Sequence, residues 1–276
     1  PTVDDGASHL IPISVLGNNA LDVAVQAAKR AGQVIKAHLY STKEVSFKGR
    51  NDLLTNVDLL AEKEILGILT KEYPHFGILS EESEEIKGNS KYAWIVDPLD
   101  GTRNFASGIP HCATAIALAK GNTVVLGVIY DSLRNELFTA IRGEGAKLNG
   151  NLISVSSKSE IDQCLLGFDM GYSDEQGSLA LDMVQALWPG VQSIRIMGSA
   201  ALGLAYVACS RIEIYFHHHL SPWDLAAGLV LVEEAGGVLV NRQGDSLTFK
   251  SPSVIASSLN TSNRFLHVTA GMAWRR

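Results

Sequence analysis

Apolar residues recur at helical spacing from Asn19 to about Tyr40. They are Leu21, Val25, Ala28, Val34, Ile35 and Leu39, which predicts an amphipathic helix. "EVSFKGRNDLLT" reads as a strand followed by a polar turn. Thr55 or Asn56 then caps a helix that reaches about Glu72, just ahead of Tyr73 and Pro74. "FGILSEES" and "KYAWIVDP" are short apolar strands ending in acids. From His111 to Gly150, apolar runs are broken by Gly-Asn, Ser-Leu-Arg-Asn and Gly-Glu-Gly turns, which predicts an antiparallel meander. Beyond it the rhythm changes. "CLLGF", "SIRIM", "IEIYFHH", "GVLVN" and "SVIAS" read as strands. Between and after them, helices are predicted over about Ser178 to Leu187, over "SAALGLAYVACS" with Ser199 near the cap, over "SPWDLAAGLVLVEEAGG", and from Thr261 to about Met272. Alternating strands and helices mean layered α and β structure.

The bulk numbers narrow the choice of partner. The chain has 276 residues, 46% hydrophobic and 19% charged, enough apolar material for a large core. Its net charge is -6 and no basic run appears, which argues against a nucleic acid polymer as partner. Cys112, Cys164 and Cys209 are widely separated, and an odd number closes no disulfide framework. We read them as small core residues in a reducing, cytoplasmic setting. "PTVDDGASHLIPISVLGNN" carries acids where a signal peptide carries positive charge, so residues 1–18 read as a tail. No apolar run approaches transmembrane length, so no membrane partner is expected.

Candidate chemistry sits at strand ends. Glu81 follows "FGILS", Asp97 and Asp100 follow "WIV", and Asp224 lies in "SPWD". Ligand sites in layered folds lie at such sheet edges. Oxygen donors of this kind suit hard cations such as Mg²⁺ or Mn²⁺, and no Cys or His cluster offers zinc a comparable set. Within "DPLDGT", Pro98 stiffens the turn, so that Asp97, the Leu99 carbonyl and Asp100 can converge on one point. Gly101 lets a phosphate approach the main chain, where the Gly101 and Thr102 amides face it. A cation beside a phosphate serves metal-assisted transfer of phosphoryl to water. The bland alternative is that Asp-Pro and Asp-Gly are common turn dipeptides and Asp100 merely caps a helix.

"WIVDPLDGTRNF" resembles the central motif of the inositol monophosphatase family. "GILSEES" looks like that family's strand ending in paired glutamates, and "SPWDLAAGLVLVEEAGG" like its C-terminal motif. "FKGRNDLLTNVD" resembles its lysine loop and Thr-x-x-Asp element, and "MGSAALGLAYVA" its substrate-side turn. The order matches from about Asn19 to the C-terminus. The resemblance implies an α+β fold, a layered αβαβα sandwich of the inositol monophosphatase / fructose-1,6-bisphosphatase type. It also implies an N-terminal α+β subdomain over residues 19–152 carrying most metal ligands, and a C-terminal α/β subdomain over residues 153–276 carrying Asp224. A homodimer and two or three Mg²⁺ ions, with Mn²⁺ as a substitute, are implied as well.

Carried over residue by residue, the family pattern makes Glu81, Asp97, Asp100 and Asp224 metal ligands. The Leu99 carbonyl and Thr102 hydroxyl complete the coordination. Asp58 and Thr102 position the attacking water, with Glu81 in the same catalytic group, and Glu82 supports it. The Gly101 and Thr102 amides cradle the phosphate, while Gly198, Ser199 and Ala200 line the alcohol side of the substrate. Lys48 sits in a loop that the family moves over the site. Inositol-selective members carry a glutamate seven residues before the last aspartate; here that position is His217, which puts inositol selectivity in doubt. Small polyol and sugar phosphates, fructose bisphosphate, histidinol phosphate and a phosphoadenosine nucleotide all stay open, as does a catalytically silent binding homologue. His217 and His219 share a strand face, so they offer either half of a transition-metal site or simply a strand edge with one histidine in the substrate pocket. Arg103 either reaches a second phosphate or pairs with a surface acid.

Overall fold

The computed structural model describes residues 11–47 and 53–276. Its first helix, α1 (Ala20–His38), is capped by Asn19, whose side chain accepts the Asp22 N–H. A short hairpin, β1 (Val45–Phe47) and β2 (Leu53–Thr55), leads into α2 (Asn56–Glu72), capped by Thr55. Then come β3 (Gly77–Ser80), β4 (Tyr92–Asp100), the single-turn α3 (Thr102–Ala106), β5 (Ala113–Lys120), β6 (Thr123–Asp131), β7 (Glu136–Ile141), β8 (Gly145–Leu148) and β9 (Asn151–Leu152). The later elements are β10 (Leu165–Asp169), α4 (Asp174–Leu187), β11 (Ser193–Ile196), α5 (Ala200–Ala208), β12 (Ile214–His217), α6 (Pro222–Glu234), β13 (Val238–Val240), β14 (Val254–Ser257) and α7 (Leu259–Val268).

A seven-stranded sheet runs β3-β4-β5-β6-β7-β8-β9, antiparallel except for the parallel β3–β4 pair. A five-stranded sheet runs β11-β10-β12-β14-β13, with β10 parallel to both its neighbours. Three apolar cores separate five layers. In the first, Ala24, Ala28, Ala31 and Ile35 of α1 and Ile65 of α2 pack on Trp94, Val96, Ile116 and Leu118 of the larger sheet. In the second, α5 and α6 lie between the sheets, bringing Leu204, Leu225 and Val230 against Ala115, Ala117 and Phe138 on one side and Tyr215 and Ala256 on the other. In the third, Met183 of α4 and Phe265 of α7 cover Leu166, Phe168 and Phe216. The result is the expected αβαβα sandwich.

The middle layer is nearly all apolar because both its faces are covered, whereas α1 has a polar outer face. α5 and α6 touch closely at Gly228, where a Cβ would stand 2.3 Å from Leu204 Cδ1. The close packing positions the site, since the N-termini of both helices point at the end of β4. Cys112 and Cys164 are buried, Cys209 is half-buried, and all three are free thiols.

Candidate metal and phosphate site

The site starts from an irregularity in β4. Pairing with β5 is regular from Tyr92 to Asp97, then shifts before resuming at Asp100. Pro98 has no N–H to give the ladder, and its carbonyl takes the Thr114 hydroxyl at 3.0 Å instead. The Leu99 N–H turns back to Asp97 Oδ1 at 3.0 Å. The bulge turns Asp97 and Asp100 toward one point at the sheet's end. Asp224 joins them from the first turn of α6, where the Ser221 N–H donates to its Oδ2 at 2.6 Å. Ligand oxygens of Asp97, Asp100 and Asp224 all lie within 4.8 Å of one another.

Such proximity has an electrostatic cost. Burial first, then the charges of Glu81, Asp100 and Asp224, hold the Asp97 carboxyl far above the usual carboxylate range. Glu81, just past β3, also hydrogen-bonds Asp97 and lines the same cavity. Burial pushes Asp100 up to about 6, against hydrogen bonds that pull it down. Those bonds come from the start of α5: the Ser199 hydroxyl, the Ala200 N–H at 3.1 Å and the Ala201 N–H at 3.0 Å. The expected substrate-side residues Ser199 and Ala200 thus point their donors at Asp100, and with Gly198 they line the cavity. Three buried or half-buried carboxylates so close together, two of them with raised pKa values, fit a hard divalent cation, which replaces the protons they would hold and relieves the repulsion.

Beside this cluster sits the pair expected to handle water. The Thr102 hydroxyl lies 2.9 Å from Asp58 Oδ1 and 2.9 Å from the Leu99 carbonyl. Its single proton serves one acceptor at a time. Asp58 is held in the first turn of α2 by Thr55, whose N–H donates to Asp58 Oδ2 at 2.9 Å. Burial raises the Asp58 pKa, opposed by its bonds to Thr55 and Thr102. Gly101 turns the chain at φ 87°, and a Cβ there would meet the His111 carbonyl at 3.0 Å and the Gly198 carbonyl at 3.1 Å.

The structure brings Asp58, Glu81, Asp97, Leu99, Asp100, Gly101, Thr102, Gly198, Ser199, Ala200, His217 and Asp224 to this corner. Glu82 stands outside the cavity, its N–H donating to Glu62 Oε1 at 3.2 Å. Lys48 lies outside the described residues. The cavity holds about 160 Å³ and continues past Asp169, Met170, Gly171 and Tyr172. Arg103 stands over the Tyr172 ring at 5.1 Å. His217 and His219 both line the cavity, but the His219 N–H donates to His217 Nδ1 at 3.1 Å, so the two rings do not form a chelate through that atom. His218 turns away and meets Arg242 Nη1 at 2.8 Å.

Two buried acids escaped the sequence reading. Asp169 ends β10, and its oxygens take the Gly198 N–H at 2.5 Å and the Tyr215 hydroxyl at 2.7 Å. Burial pushes it up to about 6. It follows the apolar run "CLLGF", the same signal that marked the other four acids. Glu62 anchors the loop after β3 through Ser80, Glu82 and Ser83, and only its helical register with Asp58 hints at that.

These layers and this bulged strand end place the chain among proteins with the inositol monophosphatase fold. The suhB extragenic suppressor protein from Bartonella henselae superposes with a TM-score of 0.88 at 38% identity, covering 91% of this chain and 98% of that one. Residues 18–272 match the model of the Inositol monophosphatase family, and the chain belongs to that family. "Nus factor SuhB" of Haemophilus influenzae is 44% identical over 247 residues, 87% of this chain and 91% of its own length. "Inositol monophosphatase 1" of Solanum lycopersicum is 40% identical over 253 residues, 89% of this chain and 93% of its own. The family is metal-dependent and acts on small phosphorylated substrates. No helix among the described residues is long and apolar enough to cross a membrane.

Proposed function

We propose that the protein is a Mg²⁺-dependent phosphomonoesterase that hydrolyses a small polyol or sugar phosphate. The observation that carries this is the cluster of Asp97, Asp100 and Asp224 oxygens within 4.8 Å, set beside the Asp58–Thr102 hydrogen bond. Asp97, Asp100, Asp224, Glu81 and the Leu99 carbonyl are the residues that hold the metal. A bound divalent cation there polarises the phosphate and lowers the pKa of the attacking water. The chain's own groups do the rest. Asp58 accepts from Thr102 and fixes its hydroxyl, whose oxygen orients the water and takes part in its deprotonation. Gly101 and Thr102 turn their amides to the phosphate oxygens, and Gly198, Ser199 and Ala200 close the alcohol side. Glu82 supports this corner through the loop that Glu62 anchors. We place residues 19–152 as the subdomain holding most ligands and 153–276 as the one supplying Asp224 and the substrate wall. By family expectation the protein is a cytoplasmic homodimer.

Phosphate release from myo-inositol 1-phosphate, fructose 1,6-bisphosphate, histidinol phosphate and 3′-phosphoadenosine 5′-phosphate tests the reading. Turnover of a sugar or polyol ester that requires Mg²⁺ supports it, and a preference for the nucleotide overturns the substrate class. A relative that is 44% identical bears the name Nus factor, which favours a second reading as a binding protein. Absence of hydrolysis of all four esters with Mg²⁺ and with Mn²⁺ supports that second reading instead.

A further inference from the structure

The far wall of the cavity carries a histidine whose proton position is set by the fold. His217 ends β12, paired with Asp169 of β10 on one side and Val254 of β14 on the other. Only 6% of the residue is exposed. Its Nδ1 accepts the His219 N–H at 3.1 Å, so that nitrogen carries no proton. Burial, then its histidine neighbours, lowers the pKa to about 3, which leaves the ring neutral. The one ring proton therefore sits on Nε2. No described residue bonds Nε2, and it is not among the buried atoms without a partner, so the cavity that the ring lines is what it faces.

The surroundings agree with a donor wall. Asp169 is the adjacent acid, but its two oxygens are taken by Gly198 and Tyr215. A Cβ on Gly171 would stand 3.5 Å from His217 Cε1, so the Asp169–Tyr172 turn runs along the ring. The next residue, Tyr172, carries the Arg103 guanidinium over its face. An N–H donor and a guanidinium thus border one stretch of the cavity. A carboxylate at this position accepts from substrate hydroxyls, whereas an Nε2–H only donates. A hydroxyl meeting it must also place its own proton elsewhere. A phosphate or carboxylate oxygen has no such requirement and gains a charge-assisted bond.

We propose that His217 is a specificity residue that presents a fixed Nε2–H to the alcohol half of the ester, so that the favoured substrate carries a second anionic, acceptor-only group there. This rests on the phosphatase reading and goes beyond it by naming the substrate class. An ammonium at that place, as in histidinol phosphate, meets a donor and is disfavoured.

The test compares kcat/KM for fructose 1,6-bisphosphate, 3-phosphoglycerate, myo-inositol 1-phosphate and histidinol phosphate in wild type and His217→Glu. The first two separate a second phosphate from a carboxylate. In wild type, at least one of them is expected to exceed the inositol ester by tenfold or more, with histidinol phosphate last. His217→Glu reduces that ratio at least tenfold, mainly through KM, and His217→Gln, which keeps a donor, restores part of it. A wild-type preference for the inositol ester, or a ratio unchanged within twofold in His217→Glu, overturns the proposal. Two readouts do not depend on turnover. Histidine-selective ¹⁵N NMR is expected to show a neutral ring with its proton on Nε2 at pH 7; an Nδ1–H or cationic ring overturns the assignment. Calorimetry on Mg²⁺-loaded Asp58→Asn protein is expected to rank the esters in the same order, and equal affinities, or no binding, overturn it. Absence of turnover with the ring and the binding order as stated sinks only the phosphatase reading.

Discussion

Replacing Asp97 by Asn separates a metal site from a structural turn. The residue is 1% exposed, and its carboxylate shares a 4.8 Å cluster with Asp100 and Asp224. At an effective dielectric of about 20, each fully ionised pair at that separation repels by roughly 3.5 kcal/mol. Without metal the site relieves this by holding protons, as the raised Asp97 and Asp100 pKa values indicate. Asn keeps the oxygen that accepts the Leu99 N–H and needs no proton. The metal-free variant is therefore expected to melt no lower than wild type. Metal adds stability by mass action, about 2.7 kcal/mol at a hundred times Kd. At about 2 °C per kcal/mol for a chain this long, wild type gains roughly 5 °C on saturation with Mg²⁺. A variant whose affinity has dropped about 100-fold keeps roughly 0.4 kcal/mol of that, a shift under about 1 °C. Differential scanning fluorimetry with and without Mg²⁺ reads both numbers. The reasoning is refuted if metal-free Asp97→Asn melts several degrees below wild type while its Mg²⁺ shift is intact, since Asp97 then serves the turn and not an ion.

Three other outcomes follow from the same geometry. Thr102→Val and Asp58→Asn are each expected to lower kcat by about 10²–10⁴, and the double variant to lose little more than the worse single one; additive losses in steady-state kinetics argue that the two act separately. Gly101→Ala forces a side chain into φ 87° and within 3.0 Å of the His111 carbonyl, so unfolding experiments should show a loss of at least about 2 kcal/mol, and an unchanged midpoint rejects the strain argument. Asp169 has a folded pKa of about 6, above its ordinary value of 3.8, so its contribution is full below about pH 4 and is lost as pH rises through 6. The stability of wild type minus that of Asp169→Asn should fall by about 2.5 kcal/mol between pH 4 and 7 in metal-free urea titrations, and a flat difference counts against a raised pKa. His217, lowered to about 3, has the opposite sign, losing its contribution as pH drops below about 6.5, but it is present in both proteins and cancels in the difference.

Much of the molecule was legible because its layers impose different periods. α1 shows its period in Leu21, Val25, Ala28, Val34, Ile35 and Leu39, although its most buried face runs through Val23, Ala24, Ala27, Ala28, Ala31 and Ile35, because closely packed alanines carry little apolar signal. β4 reads as a strand from Trp94, Ile95 and Val96, buried on both faces. What pattern could not show was that β4 continues through Pro98 to Asp100, because the resumption depends on a bulge and on Thr114 across the ladder. Apolar spacing predicts α4 from about Ser178, four residues after its actual start at Asp174. Its first turn is all polar, with Ser173 as cap and Asp174 and Glu175 at the dipole's positive end, so apolar spacing starts only at Leu179. α7 likewise begins at Leu259 behind the Ser258 cap and ends at Val268, short of Met272. In the site, residues within one motif were readable from their order, as in Asp97 to Thr102. The contacts of Ser199, Ala200 and Ala201 with Asp100 span about a hundred positions, and the link from Asp169 to Gly198 and Tyr215 joins two strands and the loop before α5. Such contacts are products of layer packing and leave no local spacing to read.

The most direct test is phosphate release from the ester panel as free Mg²⁺ is titrated, for wild type and Asp97→Asn side by side. We expect wild-type turnover to rise from the chelated baseline to saturation, with Asp97→Asn at least about 10³-fold lower although it melts no lower than wild type. Turnover in the variant that matches wild type, or wild-type turnover that persists in excess chelator, contradicts a metal held by these carboxylates.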